Sequence, residues 1–387
     1  MPTYATPGIA IEESGAGPRP IEGVATSTAA FIGVAARGGA RARLVGSLAE
    51  FESHYGPVTP LRRAFLGRAV QGFFANGGTR AWIVRVPATR GRFTAAAFIG
   101  GGATRARFLR GLAALAEIDE MLLVAVPDLM HPRMAPAERA MLRVALIAQA
   151  EAKRDRIVLL DPPAGDRALG RDDPAIAAID SAFAAVFGPW LAVADAAGGR
   201  GLLPPSGHVA GAIARADGEA GVHRSPAGAA LLDVLEPEFA LGEADQDRLN
   251  PVGLNALRVL PGRGLVVWGA RLRTGDPEWR YIAVRRLAIH VERSIAKGLG
   301  WIVFETNDEP LWAQVRGLVE AFLLGLWRRG ALVGRTADAA FFARCDRSTM
   351  TQADIDSGRL VCMIGIAPAK PAEFVILRIG AWTRRDP

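Results

Sequence analysis

Three residues carry the side chains that a hydrolytic enzyme combines in a catalytic triad: Asp161, Ser206 and His208. In such a triad the histidine takes a proton from the serine hydroxyl, and the aspartate orients the histidine. The sequence around Ser206 lacks the Gly-x-Ser-x-Gly pattern of a nucleophile elbow, and no other triad motif surrounds the three residues. We therefore expect no enzymatic activity, and an α/β hydrolase-like enzyme is the alternative that these residues keep open.

Two further groups have residue types that bind ions or cofactors. The run Gly100-Gly101-Gly102 is not followed by the Lys-Ser/Thr pair of a phosphate-binding loop, and it lacks the glycine spacing of a dinucleotide site. Asp346, Asp354 and Asp356 could offer carboxylates to a cation, but their spacing is not that of an EF-hand loop. The sequence thus predicts no cofactor and no metal.

The cysteines and the charge pattern narrow the class of protein. Cys345 and Cys362 are the only cysteines and lack the paired spacing of a zinc site, so we expect both to be reduced core residues.

The 46 basic and 39 acidic residues give a net charge of +7, and the arginines are scattered along the chain. A nucleic-acid groove clusters its basic residues, so no nucleic-acid partner is predicted. Scattered arginine suits contacts with copies of the same chain and with an acidic partner.

No segment has the pattern of a membrane anchor. The apolar run 318–327 is far shorter than the roughly 18–20 residues that a membrane span needs. The residues after Met1 lack the basic and apolar parts of a secretory signal. We expect synthesis in the cytoplasm and no direct membrane insertion.

The elements that must position these side chains alternate between strand and helix. Strands are predicted at 24–34, 81–86, 121–126, 156–160, 190–193 and 360–366, and helices at 60–74, 136–153, 174–187 and 204–216. Alternation of this kind favours an α/β fold with a mainly parallel sheet covered by helices.

The clearest helical periodicity comes late in the chain. Apolar residues at three- and four-residue steps predict an amphipathic helix at 282–299, and acidic and proline start signals open a second one at 307–328. A strand is predicted between them at 301–304. Trp268, Trp279 and Trp301 lie beside such boundaries, where a core position is commoner than a ligand platform.

Both ends of the chain have strand-forming segments next to segments rich in Gly or Pro. Ile9 and Ile11 alternate before the linker 14–20, and 373–382 predicts a long strand after the break at 368–371. An exposed strand leaves backbone N–H and C=O groups unpaired. Each end therefore either pairs within its own subunit, the commoner case, or adds to a sheet of a neighbouring copy.

Three stretches of the sequence resemble contractile tail sheath proteins. They are Tyr4-Ala5-Thr6-Pro7-Gly8-Ile9 with Glu12-Glu13 and 19–33; Leu249-Asn250-Pro251-Val252-Gly253-Leu254-Asn255 with Pro261-Gly262-Arg263-Gly264, Val267-Trp268-Gly269-Ala270-Arg271, Asp276-Pro277-Glu278-Trp279-Arg280-Tyr281 and Arg285-Arg286; and Gly365-Ile366-Ala367-Pro368 with Lys370-Pro371-Ala372-Glu373-Phe374. The second stretch is the most specific of the three.

The resemblance implies a structural subunit and its partners. Such a protein polymerises with itself as stacked rings around an inner tail tube, contacts baseplate and tail terminator proteins, and contracts to drive the tube through a target cell envelope. It would end up in an assembled tail or a released injection particle. A nonpolymerising tail or baseplate adaptor is a further alternative.

The resemblance also implies a division of the chain. It assigns an N-terminal arm and linker to 1–20, an outer inserted α/β domain to 21–250, an inner α+β assembly domain to 251–370 and a C-terminal arm strand to 371–387, with the arms exchanged between subunits. The arm residues are Tyr4, Pro7, Gly8, Ile9, Ile11, Glu373, Phe374, Val375, Ile376, Leu377, Ile379 and Trp382. The assembly motif comprises Asn250, Pro251, Pro261, Gly262, Trp268, Gly269, Arg271, Trp279, Arg280, Tyr281, Arg285 and Arg286. For its four arginines, solvated charge and pairing with another subunit or the tube both stay open.

Overall fold

The computed structural model of the 387-residue chain describes residues 20–87, 92–100, 109–371 and Glu373. These residues fall into two compact units. The larger unit contains residues 24–293 and the described residues after 367, and the smaller unit contains 20–23 and 294–367.

An eight-stranded sheet forms the centre of the larger unit. The strands of this unit are β1 Thr28–Gly33, β2 Arg43–Val45, β3 Arg80–Arg85, β4 Leu122–Ala125, β5 Arg156–Leu160, β6 Ala184–Gly188, β7 Leu191–Ala194, β8 Arg200–Leu203, β9 Glu236–Pro237, β10 Leu254–Leu260 and β11 Gly264–Val267. The sheet order is β11-β10-β6-β5-β4-β1-β3-β2, parallel except for the antiparallel edge strands β2 and β11. The mainly parallel α/β sheet predicted from the sequence is confirmed.

The central strands are buried from end to end. Every residue of β1, β4, β5 and β6 is buried. Parallel strands covered by helices on both faces have this near-continuous apolar character, because neither face meets water. Three shorter strands form a separate antiparallel sheet in the order β8-β7-β9.

The described part of the larger unit contains helices that the sequence predicted and others that it did not. They are α1 Leu48–Tyr55, α2 Leu66–Ala75, α3 Ala95–Ile99, α4 Gly111–Leu115, α5 Pro136–Lys153, α6 Pro174–Ala177, α7 Ser206–Ala220, α8 Glu243–Leu249 and α9 Ile282–Gly298, whose last residues belong to the smaller unit. Short 3-10 turns occupy Pro127–Met130 and Asn250–Val252. Helix α5 and strand β5 have the bounds predicted from the sequence, residue for residue.

The smaller unit combines helices with a two-stranded sheet. After the 3-10 turn Gly300–Ile302 come α10 Glu309–Arg328, α11 Ala337–Ala340, β12 Phe341–Arg344, α12 Gln352–Asp356 and β13 Met363–Ile366. Strands β12 and β13 pair antiparallel. The core cluster consists of Leu311, Trp312, Val315, Cys345 and Met350.

Two sequence predictions of local structure are wrong. The predicted helix 174–187 ends at Ala177, and its second half is the central strand β6. Alanine-rich segments favour helix locally, but burial between two strands decides the outcome here. The predicted strand 301–304 is instead a 3-10 turn followed by Phe304 with φ of 82°. Its apolar pattern reflects Trp301 and Ile302, which pack on the core cluster.

The compact units do not divide the chain where the sequence placed its boundaries. Strands β10 and β11 complete the large sheet, so the segment after residue 250 continues the larger unit. The assignment of 21–250 and 251–370 to outer and inner layers of an assembly stays a prediction. None of the described helices combines the length and apolarity needed to cross a bilayer.

Candidate functional site

The residues of the second sequence motif converge around the hairpin formed by β10 and β11. Asn255 is fully buried, and its side-chain amide donates to the carbonyl oxygens of Val186 and Arg271 at 3.0 and 2.8 Å. Its oxygen accepts the backbone N–H of Arg271 at 2.7 Å. A Cβ on Gly269 would lie 2.8 Å from that oxygen, so glycine is required for this close approach. The amide therefore fixes the backbone at Arg271 against the sheet.

Arg271 uses its side chain to hold Glu373, the described residue of the predicted C-terminal strand. Its Nε lies 3.0 and 3.1 Å from the two carboxylate oxygens, and its Nη2 also donates to the carboxylate. The Nη1 donates to the carbonyl of Asn250 at 2.8 Å, and the Tyr281 hydroxyl donates to Glu373 at 3.4 Å. We call Asn250, Arg271, Tyr281 and Glu373 the arm anchor.

The electrostatics of the arm anchor favour the charged pair. The side chains of Arg271 and Glu373 are only 6% and 18% exposed, so water screens them little. Hydrogen bonding to Glu373 raises the pKa of Arg271 above its ordinary value. Bidentate arginine–carboxylate pairs combine strength with fixed geometry. The arm anchor thus fixes the start of the C-terminal segment to the larger unit of its own chain.

Two other arginines of the motif are buried in their own subunit. Arg286 donates to both carboxylate oxygens of Asp217, at 2.7 and 2.5 Å, and to the carbonyl of Thr26 at 2.9 Å. The guanidinium carbon of Arg285 lies 3.4 Å from the ring centre of Trp279. Burial lowers the pKa of Arg285 to about 10. Of the two roles considered from the sequence, solvated charge does not describe these residues.

The remaining motif residues have surface or backbone roles. Gly262, with φ of 71°, and Pro261 lie at the exposed tip of the hairpin. Trp268 is 36% exposed, with the Arg258 guanidinium 5.9 Å above its ring. Pro251 lies in the 3-10 turn before β10. The backbone carbonyl of Arg280 accepts a hydrogen bond from Leu272.

The triad-type residues do not form a relay. The Ser206 hydroxyl and backbone N–H both donate directly to Asp161, at 2.7 and 2.8 Å. The Nε2 of His208 lies 3.4 Å from the carbonyl of Asp233 instead. Burial raises the pKa of Asp161 to about 7 and lowers that of His208 to about 4. Asp161 caps the start of α7, and His208 packs where a Cβ on Gly72 would collide with its ring.

The candidate ion ligands have local structural roles. Asp354 forms a capping box with Thr351 at the start of α12, and Asp346 accepts the backbone N–H of Ser348 at 2.7 Å. Within the described ranges, no three His, Cys, Asp or Glu residues come together as a metal cluster. Gly101 and Gly102 fall outside the described residues, as do all predicted arm residues other than Glu373.

Two important residues of this region were missed from the sequence. Asn255 belongs to the second resembling stretch but was given no role there, because only the fold brings it beside Gly269. Asp217 gave no signal, because it is 69 residues from Arg286 and lies on a different helix.

Comparison with known proteins places this geometry in a family. The phage tail sheath protein central domain matches residues 101–271, and the phage tail sheath C-terminal domain matches residues 274–381. The tail sheath protein of Vibrio phage KVP40 is 27% identical over 183 residues, which cover 46% of this chain and 26% of that protein. The match thus spans about a quarter of that relative's length.

Solved structures match over nearly the whole chain. The helical sheath of the anti-feeding prophage in its contracted state is 30% identical, with 98% of this chain and 99% of that chain covered and a TM-score of 0.76. The sheath complex of PVC, an extracellular contractile injection system, in the contracted state is 26% identical, with 98% of both chains covered and a TM-score of 0.78. The chain therefore belongs to the contractile tail sheath protein family.

Proposed function

We propose that this chain is the structural subunit of a contractile sheath, which polymerises around an inner tube and drives it through a target envelope on contraction. The main support is the likeness to two contractile sheaths over 98% of the chain. The proposed role is mechanical rather than catalytic, which agrees with the use of Asp161 and Ser206 as a helix cap. Copies of itself, the tube, the baseplate and a tail terminator are the proposed partners, in a released particle or tail.

The two-stranded sheet of the smaller unit is the proposed acceptor of a neighbour's arm. Among the described strands, only β12 and β13 take part in it. An isolated two-stranded hairpin is at best marginally stable, because it lacks strands to bury its apolar side chains. Phe342 and Met363 are about half exposed on this sheet. A strand from another subunit would pair with the open backbone and cover these side chains.

The arm anchor would allow an exchanged C-terminal arm to transmit force between subunits. Three charge-assisted hydrogen bonds from Arg271 and one from the Tyr281 hydroxyl hold Glu373, so a pull on the C-terminal arm would act on the larger unit. An arm pairing through five or so backbone bonds, each worth about 1 kcal/mol net, would contribute several kcal/mol per junction. Subunits joined in this way can rotate and slide as rigid bodies without separating. The inner and outer layers at 251–370 and 21–250 belong to the same proposal.

Truncation combined with electron microscopy tests the proposal. The full chain should form hollow cylinders, whereas deletion of 1–13 or of 373–387 should leave soluble subunits. Deletion of 383–387, which keeps the predicted strand 373–382, is the matched control and should still form cylinders. Normal cylinders from either long truncation would refute arm exchange. A full-length chain that never polymerises would favour an adaptor.

A further inference from the structure

The two cysteines are placed opposite each other by the register of the small sheet. Strand β12 ends at Arg344, which pairs with Met363 at the start of β13. One further step of the same antiparallel register sets Cys345 opposite Cys362. Directly opposite residues in an antiparallel pair have Cα atoms about 4.5–5.5 Å apart and side chains on the same face. A disulfide needs a Cα separation of about 4.4–6.8 Å.

The thiols also lie close enough to affect each other. After burial, the neighbouring Cys362 is the next cause that raises the pKa of Cys345, and both cysteines are free. Cys345 is 1% exposed in the core cluster beside Trp312 and Met350, and Cys362 packs against this cluster with part of its surface in solvent. One thiol is thus hidden and the other is accessible from outside.

We propose that Cys345 and Cys362 form an intramolecular disulfide under oxidising conditions. This bond would covalently link the adjacent ends of β12 and β13. The reduced pair expected from the sequence is the starting state of this reaction. The inference concerns the subunit itself and does not depend on the proposed sheath function.

The oxidation balances with a small-molecule disulfide, such as oxidised glutathione, as the oxidant. The Cys362 thiol loses its proton, and its sulfur attacks one sulfur of the oxidant, which releases one glutathione thiolate. The Cys345 thiolate then attacks the Cys362 sulfur, the mixed disulfide breaks, and a second glutathione leaves. Two electrons pass from the cysteine pair to the oxidant, and the two cysteine protons go to the two released thiolates.

Burial of the two thiols determines the conditions under which the disulfide forms. It raises the pKa of Cys345 to about 12 and also raises that of Cys362, so little of either thiol is ionised at neutral pH. Because the thiolate is the attacking species, closure is slow and becomes faster as pH rises. A reducing cytosol keeps such a pair of thiols reduced, whereas prolonged exposure to an oxidising environment outside a cell joins them as a disulfide. The disulfide would close a loop that contains the segment 346–361 and so restrict that segment in the unfolded chain.

The test uses the full-length protein incubated with oxidised glutathione at pH 8.5. Peptide mapping without reductant should show the Cys345 peptide linked to the Cys362 peptide, with a loss of two mass units and of both free thiols. The thermal transition should rise by about 5–10 °C and return to its starting value after reduction. Cys362→Ser, at the partly exposed position, should fold normally and show no shift, and Cys345→Ala should behave alike.

Three results would overturn the inference. In the first, both thiols stay free under conditions that oxidise the urea-unfolded chain. In the second, glutathione remains attached to Cys362 and no link to Cys345 forms. In the third, the linked peptides come from two different chains, as mixing of isotopically labelled and unlabelled protein would reveal.

Discussion

Pairs of oppositely charged side chains are buried in the larger unit, whereas exposed large apolar side chains are more frequent per residue in the smaller one. The larger unit buries the pairs Arg286–Asp217 and Arg156–Asp155 with side chains no more than 3% exposed. Among the described residues of the smaller unit, none with a charged side chain is buried. With far fewer residues, that unit exposes five large apolar side chains: Val303, Phe304, Val333, Phe342 and Met363.

The difference indicates two kinds of stability. A buried ion pair is costly to desolvate and holds only if its geometry is fixed, so the larger unit must keep one internal arrangement. A small unit with open strands and exposed apolar side chains gains stability when another surface covers it. We therefore expect the first unit to behave as a rigid body, and the second to gain stability from the contacts proposed with other subunits.

Breaking a buried pair should give the largest loss of stability. Asp217→Ala leaves the Arg286 guanidinium buried without its carboxylate, which should cost about 3–5 kcal/mol. Urea unfolding at neutral pH measures the change. Glu236→Ala, which removes the exposed partner of Arg200, is the matched control and should leave the unfolding midpoint unchanged. Equal effects of the two variants would remove the basis for calling the larger unit rigid.

The second-largest effect should be a pH-dependent contribution of Asp161 to the free energy of unfolding. Its pKa is about 7 in the folded chain and near 3.8 when unfolded, so the folded state binds the proton more tightly. This contribution is complete below about pH 3.8 and is lost as pH rises through 7, by up to about 4 kcal/mol.

Asp161→Asn isolates this contribution, because the Ser206 hydroxyl can turn to accept from the new amide and both hydrogen bonds persist. The stability of the variant relative to wild type should increase from pH 4.5 to 8 in urea unfolding. A constant difference over that range would show that Asp161 does not titrate there.

Asp128→Asn should be more harmful than the same change at Asp161. Both oxygens of Asp128 accept backbone N–H groups, from Val34 at 2.7 Å and from Phe65 at 2.5 Å. An asparagine must point its NH₂ at one of these donors, which leaves a buried N–H unpaired and should cost about 2 kcal/mol. Urea midpoints of the two Asn variants at pH 8 compare them directly. Similar midpoints would mean that the site rearranges more easily than a rigid unit allows.

Local signals predicted much of the fold but few of the contacts that position the candidate site. Helix α5 and strand β5 were predicted to the residue, because Pro136 marks a helix start and a short apolar run marks a buried strand. Strand β6 was missed, because its alanines carry no strand preference and only burial between neighbours selects that state. The arm anchor joins Arg271 to a residue 102 positions away, and no periodicity encodes such a partner. The family resemblance marked both residues without indicating that they meet.

The smallest expected effect is a gain in the free energy of unfolding, in contrast to the losses above. It should come from relieving backbone strain at Phe304 in the smaller unit. Phe304 is fully exposed and has φ of 82°, a conformation that costs a residue with a Cβ about 1–3 kcal/mol. Phe304→Gly should therefore raise the stability of the isolated subunit by about 1 kcal/mol, since no buried contact is lost. Thermal unfolding of the unassembled protein measures the gain.

The neighbouring Val303 provides the control for that gain. Its φ of −63° is ordinary, so Val303→Gly should lower stability by several tenths of a kcal/mol, through chain entropy and the loss of a partly covered side chain. A gain at Phe304 beside a loss at Val303 would mean that the phenylalanine lowers the stability of its own subunit. The exposed side chain would then have to be explained by contacts outside the subunit. A loss at both positions would show that Phe304 supports the fold of the smaller unit, and the contrast between the two units would become weaker.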